Sequence, residues 1–259
     1  MTKGQVYLVG AGPGDPKLIT VYGLECIQKA DVILYDRLVN EQLLTNAKQD
    51  AELIFCGKLP GKHELIQEQI NELLISEAMK GKTVTRLKGG DPCVFGRVGE
   101  EAEVLAESNI PFEIVPGITS GIAAPAYAGI TVTHRDHASS FAIVTGHGRE
   151  DKKQDTLNWS ALALGIDTLA FYMGVGNISY ICHKLIENGR KSQTPVAVIQ
   201  WGTTHKQKTV TGTLETIEQI VIDANIKHPA IIIVGEVVQL REKIKWFQEE
   251  EDKIREQTR

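Results

Sequence analysis

From Gln5 to Val115 short apolar runs alternate with longer stretches of helical spacing. Val6 to Val9, Asp31 to Tyr35, Leu53 to Cys56, Thr83 to Leu87 and Phe112 to Val115 each predict a strand, since a brief apolar run bounded by turn residues fits a strand buried on both faces. Leu18 to Lys29, the amphipathic Glu64 to Lys80, and Gly99 to Ser108 predict the helices between them. This alternation predicts a mostly parallel sheet with helices on both faces. It stops at Pro116-Gly117, which suggests an N-terminal α/β domain over 1–115 and a C-terminal one over 116–259. The second part is richer in strand signals: Phe141 to Thr145, Thr168 to Tyr172, Pro195 to Gln200, Gln207 to Thr211 and Ala230 to Val234. Only some of these have helices between them. Gln193 to Thr213 reads as two strands joined through Gly202-Thr203-Thr204-His205, a hairpin that makes the second sheet mixed. Gln239 to Arg259, dense in Glu, Lys and Arg, predicts a charged C-terminal helix that frays at its end.

Composition narrows the class. With 259 residues and 42% hydrophobic content, the chain can bury about three quarters of the surface its unfolded form exposes, enough for one large core or two modest ones. Net charge is -5 and the pI is near 5.8. Lys and Arg are scattered, so the footprint of a nucleic-acid binder is missing. Cys26, Cys56, Cys93 and Cys182 are far apart and form no C-x-x-C pair, which argues against a disulfide framework or a structural zinc and for a reducing cytoplasm. The first ten residues lack the pattern of a signal peptide. The long uncharged stretch Ile114 to Thr133 is broken by Pro116, Pro125 and glycines, so it is not read as a membrane span.

Two glycine-rich segments carry the candidate chemistry. Gly10-Ala11-Gly12-Pro13-Gly14-Asp15-Pro16 follows the first strand and opens a helix, yet the third glycine of a dinucleotide fingerprint is here Asp15, whose charge would face a pyrophosphate. Asp36, after the second strand, could still take a ribose, which keeps a nicotinamide enzyme open. No Gly-Lys-Ser/Thr triplet ends a glycine loop, so a Walker A site is excluded. Asp15 as N-cap with Pro16 at the first helical position explains the segment locally. Leu87 to Glu101 packs Gly89, Gly90, Gly96 and Gly99 around fixed charges. Its glycines let backbone approach a ligand, while Asp91 and Pro92 suit the cap and first position of the next element. Arg97 and Glu100 lie one helical turn apart and could face one cleft. The cluster His134-Arg135-Asp136-His137 lacks a recognised ligand spacing, and no metal is expected.

Taken in order, the glycine start, Val32 to Val39, the Gly89 loop, Val115-Pro116-Gly117-Ile118-Thr119-Ser120, Thr145-Gly146-His147, Tyr172-Met173-Gly174, Trp201-Gly202-Thr203-Thr204 and His228-Pro229-Ala230 resemble the tetrapyrrole methylase family from about Gln5 to Leu240. The resemblance implies two α/β domains with a ligand cleft between them, S-adenosyl-L-methionine as methyl donor, and a homodimer. Within the family the likeness is to members that methylate uroporphyrinogen III twice to precorrin-2, which feeds sirohaem and cobalamin synthesis. Carried over by position, the donor site falls on Pro13, Gly89, Gly90, Asp91, Val94, Phe95, Thr119, Ser120, Met173, Trp201, Gly202, Pro229 and Ala230. A polycarboxylate tetrapyrrole calls for arginine forks. Arg37, Arg97, Arg135, His147 and Tyr172 are the substrate candidates, with His134, Arg149 and Lys58 as additions. Arg97, Glu100 and Arg135 are the catalytic candidates. Methyl transfer from a sulfonium needs mainly alignment; Glu100 or Arg97 is expected to help the later loss of a proton. Relatives that act on a later precorrin, on a ribose in RNA or on a modified histidine share the fold, and a non-catalytic sensor is the alternative from another class. No nucleic acid or membrane partner is expected, and oxidation and iron insertion would fall to a separate precorrin-2 dehydrogenase/chelatase.

Overall fold

The computed structural model describes residues 2–57, 66–146 and 157–249, and the chain divides into two compact units, Met1–Thr119 and Ser120–Arg259. In the first unit β1 (Val6–Gly10), α1 (Val21–Lys29), β2 (Val32–Tyr35), β3 (Glu52–Phe55), α2 (Gln67–Met79), β4 (Val84–Lys88), α3 (Val98–Glu107) and β5 (Phe112–Val115) follow one another. All four pairings are parallel, in the order β3-β2-β4-β1-β5. The sheet is therefore wholly parallel, and strand alternation sends side chains to two cores. Val6, Leu8, Val32, Leu34 and Val84 pack on Ile70, Leu74 and Ala78 of α2 and on Val98 and Leu105 of α3. Val9, Ile33, Leu87 and Val115 pack on the other face, against Cys26 and Ile27 of α1 and Leu43 of a short 3₁₀ helix, Glu41–Asn46.

The helices start where their caps place them. Asp15 accepts a hydrogen bond from the Lys17 amide and Pro16 opens a 3₁₀ turn, Pro16–Leu18; the Thr20 hydroxyl then accepts from the Gly23 amide and starts α1. The longer helix suggested from Leu18 is thus two elements. Asp91 is a correction: its side chain accepts from the Cys93 amide in a turn, and α3 begins seven residues later, at Val98, with Arg97 as its cap residue in the left-handed region at φ 57°.

The second unit holds α4 (Ser120–Tyr127), β6 (Phe141–Thr145), α5 (Trp159–Gly165), β7 (Thr168–Tyr172), α6 (Ile178–Glu187), β8 (Pro195–Gln200), β9 (Lys208–Thr213), α7 (Ile217–Asp223), β10 (Ala230–Val234) and α8 (Arg241–Ile244). Its sheet, β6-β7-β10-β8-β9, is mixed. β6 and β7 are parallel, β10 runs antiparallel to both β7 and β8, and β8–β9 is the expected hairpin. Phe171, Val198 and Ile232 face the core under α5, α6 and α7. Ala170, Ala197 and Ile231 face α4 and the 3₁₀ helix Glu236–Leu240. Among the described residues the charged tail is α-helical only over Arg241–Ile244, directly after the end of that 3₁₀ helix. Lys245 turns extended; Trp246, still 61% exposed, and Phe247 pack on the Tyr127 ring, and Glu249 is buried.

Candidate active site

In the first unit, β1 and β4 are neighbours, but α1 leaves β1 toward β2 while α3 leaves β4 toward β5. The two connections run in opposite directions on opposite faces of the sheet, α1 on one and α3 on the other, and such a switch at the carboxyl ends of adjacent strands opens a crevice, the usual ligand position in an open α/β sheet. The two glycine segments meet there. Gly12 and Gly90 exchange backbone hydrogen bonds of 3.1 and 2.7 Å, and the Ala11 amide donates to the Lys88 carbonyl at 2.7 Å. Gly117 closes the group: its amide donates to Asp91 Oδ2 at 2.9 Å, and a Cβ on Gly10 would lie 2.6 Å from the Gly117 Cα. Three stretches of backbone thus touch at a separation that no side chain fits. Pro13, Gly89, Gly90, Asp91 and Val94 are half-buried around this point, and Thr119 is buried.

Backbone strain marks the same motifs. Among the described residues the non-glycine positions with positive φ are Phe95, Arg97, Met173, Trp201 and Thr203, plus Asn109 and Asn225 just past the ends of α3 and α7. Bulky residues rarely hold this region, and such strain collects at functional sites. Phe95 and Met173 are also 45% and 48% exposed, an unusual position for large apolar groups in strained turns.

The second unit gathers its motifs at one sheet edge. β10 is antiparallel to β7 and β8, so the ends of β6, β7 and β8 and the start of β10 coincide. Gly146, Tyr172-Met173-Gly174, Trp201-Gly202 and Pro229-Ala230 all lie there. The Gly146 amide donates to the Tyr172 carbonyl at 2.7 Å and the Trp201 amide to the Pro229 carbonyl at 3.1 Å. The Tyr172 hydroxyl accepts from the Gly121 amide in the first turn of α4, the helix that carries Ser120. Gly202 packs against Ala124 of α4 so closely that a Cβ would collide.

The charged candidates are exposed. Arg37 follows β2, and Arg97 forks onto Glu100 through Nε (2.8 Å) and Nη2 (2.7 Å), with both side chains about half exposed. That hydrogen bond holds the Arg97 guanidinium above its ordinary range. Arg135 is exposed in a turn closed by reciprocal His134–Ala138 backbone hydrogen bonds. His147, Arg149 and Lys58 lie outside the described residues. No group of three or more His, Cys, Asp or Glu among the described residues could hold a metal ion.

A buried charge cluster beneath the glycine loops escaped the sequence reading. Arg86 and Lys88 on β4 and Glu101 on α3 are 2%, 4% and 0% exposed. Glu101 Oε1 accepts from Lys88 Nζ (2.7 Å), Arg86 Nε (3.2 Å) and Gln67 Nε2 (3.2 Å), and Arg86 Nη2 donates to Asp36 Oδ1 at 2.6 Å. Burial, then the Arg86 guanidinium, pulls the Lys88 ammonium below the usual lysine range. Burial also pulls Arg86 down, but the Asp36 and Glu101 carboxylates outweigh it and the net shift is upward. The signal was present in the spacing Val98, Glu101, Leu105, which puts Glu101 on the apolar face of its helix and Glu100 on the wet one.

The Tetrapyrrole (Corrin/Porphyrin) Methylases family matches residues 5–218. A uroporphyrinogen-III C-methyltransferase of Priestia megaterium is 64% identical over 235 residues, 91% of this chain and 98% of that protein. A sirohaem synthase of Pseudoalteromonas atlantica is 52% identical over 95% of this chain, which spans 53% of that longer protein. The crystal structure of a Thermus thermophilus uroporphyrin-III C-methyltransferase complexed with S-adenosylhomocysteine superposes with a TM-score of 0.78 at 38% identity, covering 92% of this chain and 100% of that one.

Proposed function

Because this chain belongs to the tetrapyrrole methylase family, we propose that it is an S-adenosylmethionine-dependent C-methyltransferase that methylates uroporphyrinogen III twice to precorrin-2. The match to the Priestia megaterium enzyme along nearly its whole length carries this reading. The residues present in the first unit fit the donor: interlocked glycine backbone beside Asp91 suits a small polar end, and the strained, exposed Phe95 suits an apolar one. In the first unit Pro13, Gly89, Gly90, Asp91, Val94, Phe95 and Thr119 are the donor-binding candidates. In the second they are Ser120, Met173, Trp201, Gly202, Pro229 and Ala230.

S-adenosylmethionine, when bound, supplies a methyl group already activated on a sulfonium. The protein therefore contributes alignment more than acid-base chemistry. Arg37, Arg135 and Tyr172, with His147, are proposed to take the substrate's carboxylates, for which arginine forks are suited. Glu100 accepts two N–H bonds from Arg97, and this pair is proposed to assist the loss of the macrocycle proton. We place the enzyme in the cytoplasm as a homodimer, feeding a separate dehydrogenase and chelatase toward sirohaem, cobalamin or both.

The test is anaerobic incubation with S-adenosylmethionine and enzymatically generated uroporphyrinogen III, read by absorbance and mass. A gain of two methyl groups is expected. No transfer, with S-adenosylhomocysteine still bound, would move the assignment to a later precorrin.

A further inference from the structure

The last described residues are tied down at two places. On one side, Trp246 Nε1 donates to the Ala126 carbonyl at 2.9 Å, Trp246 and Phe247 pack on the Tyr127 ring, and Arg241 Nη1 donates to the Ala128 carbonyl at 2.6 Å. These anchors hold the C-terminal end of α4. On the other side, the buried Glu249 carboxylate reaches the segment joining β8 to β9 and the start of β9. Its Oε1 accepts from Gln207 Nε2 at 3.1 Å and from Arg241 Nη2 at 3.0 Å, and its Oε2 accepts from the Thr209 amide at 3.2 Å. Gln207, 2% exposed, passes the contact on: its Oε1 accepts from the amide of Thr203 at 2.7 Å.

Thr203 is 3% exposed and held at φ 68°, directly after Trp201 at φ 48° and Gly202. Two non-glycine residues of one turn in the left-handed region persist only where their surroundings over-determine them. The Gln207 side chain supplies such a restraint by satisfying a buried amide in the strained turn. Both anchored elements face each other at Gly202, where Ala124 of α4 leaves no space for a Cβ.

We propose that residues 245–249 form a strap that sets the Trp201–Thr204 turn against α4, with Gln207 and Glu249 as positioning residues for binding of the methyl donor. This rests on the reading of Ser120, Trp201 and Gly202 as donor-binding. Neither side chain touches the donor; each acts through the turn.

The experiment measures S-adenosylhomocysteine affinity by calorimetry, kcat and donor KM, and Tm for Gln207→Ala, Glu249→Ala and Glu249→Gln in the full-length chain. Removing the Gln207 acceptor of the Thr203 amide, or the Glu249 contacts, should raise Kd and donor KM by about tenfold. The value of kcat at saturating donor should stay within about twofold. Glu249→Gln, which keeps one acceptor oxygen, should fall between wild type and Glu249→Ala. Asp167→Asn is the control for a general loss of stability. It lies just before β7, at the sheet edge away from Tyr172, where Asp167 accepts from Ser139 and Ser140. Asp167→Asn should lower Tm and leave Kd unchanged. Wild-type affinity in both alanine variants, or an equal rise in Kd for Asp167→Asn at the same Tm, would overturn the strap while leaving the proposed activity intact. A wild-type protein that binds no S-adenosylhomocysteine would remove both.

Discussion

Neutralising Glu101 exposes the energetics of the buried cluster. The structure balances two cations, Arg86 and Lys88, against Glu101 and the partly exposed Asp36. At the 2.7 Å separation of Lys88 and Glu101 two unit charges attract by about 6 kcal/mol at an effective dielectric of about 20, an upper bound before desolvation. Arg86, at 3.2 Å, adds about 5 kcal/mol of gross attraction on the same basis. Part of this is already offset by the cost of burying all three groups, so removing one partner should destabilise the first unit by about 3 to 5 kcal/mol. Glu101→Gln is the cleanest change, because it keeps the volume and loses the charge.

The loss should depend on pH. Lys88 is already held below the ordinary lysine range, and without Glu101 it should fall further. The unfolded chain then binds more protons than the folded one between that lowered pKa and about 10.4, so the variant gains stability as pH rises through this window. The deficit against wild type should be smaller at pH 9.5 than at pH 7. All three tryptophans, Trp159, Trp201 and Trp246, belong to the second unit. The first unit is therefore followed by urea unfolding with circular dichroism and by hydrogen exchange of β4 amides. A loss below about 1 kcal/mol at pH 7, the worth of an exposed pair, would refute the reasoning, as would a deficit that does not shrink with pH.

Other perturbations draw on the same geometry. Asp167 lies below the usual aspartate range because the Ser139 amide, the hydroxyls of Ser140 and Ser139 and the Ser140 amide donate to it. Its contribution is present above about pH 3.9 and lost as pH falls through the lowered folded value, so Asp167→Asn should flatten the acid limb of tryptophan-detected unfolding; an unchanged limb would count against it. Gly117→Ala drives a Cβ into the Gly90 carbonyl and should cost about 1 to 3 kcal/mol and weaken S-adenosylhomocysteine binding, whereas normal affinity by calorimetry would place the donor elsewhere. Arg97→Ala breaks only an exposed fork, so its Tm should barely move, in keeping with a loss of about 1 kcal/mol or less; a large fall in turnover at unchanged Tm is the expected sign of a substrate role, and wild-type kinetics would rule that role out. Burial pushes the Cys26 and Cys56 thiols up to about 11 and Cys182 up to about 12. Cys93 alone is exposed, so a thiol reagent should label it alone in the native protein and all four in denaturant; rapid native labelling of a second thiol would contradict this packing.

The strands were legible because each is a short apolar run between turn residues, a pattern set by local chemistry. Burial on both faces in the first unit, and the hairpin across Gly202 to His205 in the second, arise from the same local rules. The Asp15-Pro16 turn was legible too, as was the ordered set of glycine motifs. Helices α4 to α7 were less so: Pro125 lies inside α4, and short helices such as α5 and α7 carry few turns of periodic signal. Composition suggested a helix from Gln239 onward, but it could not know that Trp246 and Phe247 would touch the Tyr127 ring and that Glu249 would be buried.

Charge roles depended most on the tertiary structure. Glu100 and Glu101 are identical in composition and adjacent in sequence, yet one is exposed on Arg97 and the other is sealed beneath β4. Arg86 and Lys88 read as ordinary polar positions of a strand until α3 brings a carboxylate to them. The left-handed backbone at Phe95, Met173 and Trp201 likewise cannot be read from residue type, since nothing local favours it in a bulky residue. Element identity came from interactions within a few residues of chain, which sequence encodes directly. The ionic partners, the strained turns and the tail's anchorage came from contacts between residues up to 120 positions apart, which exist only once the sheets have formed.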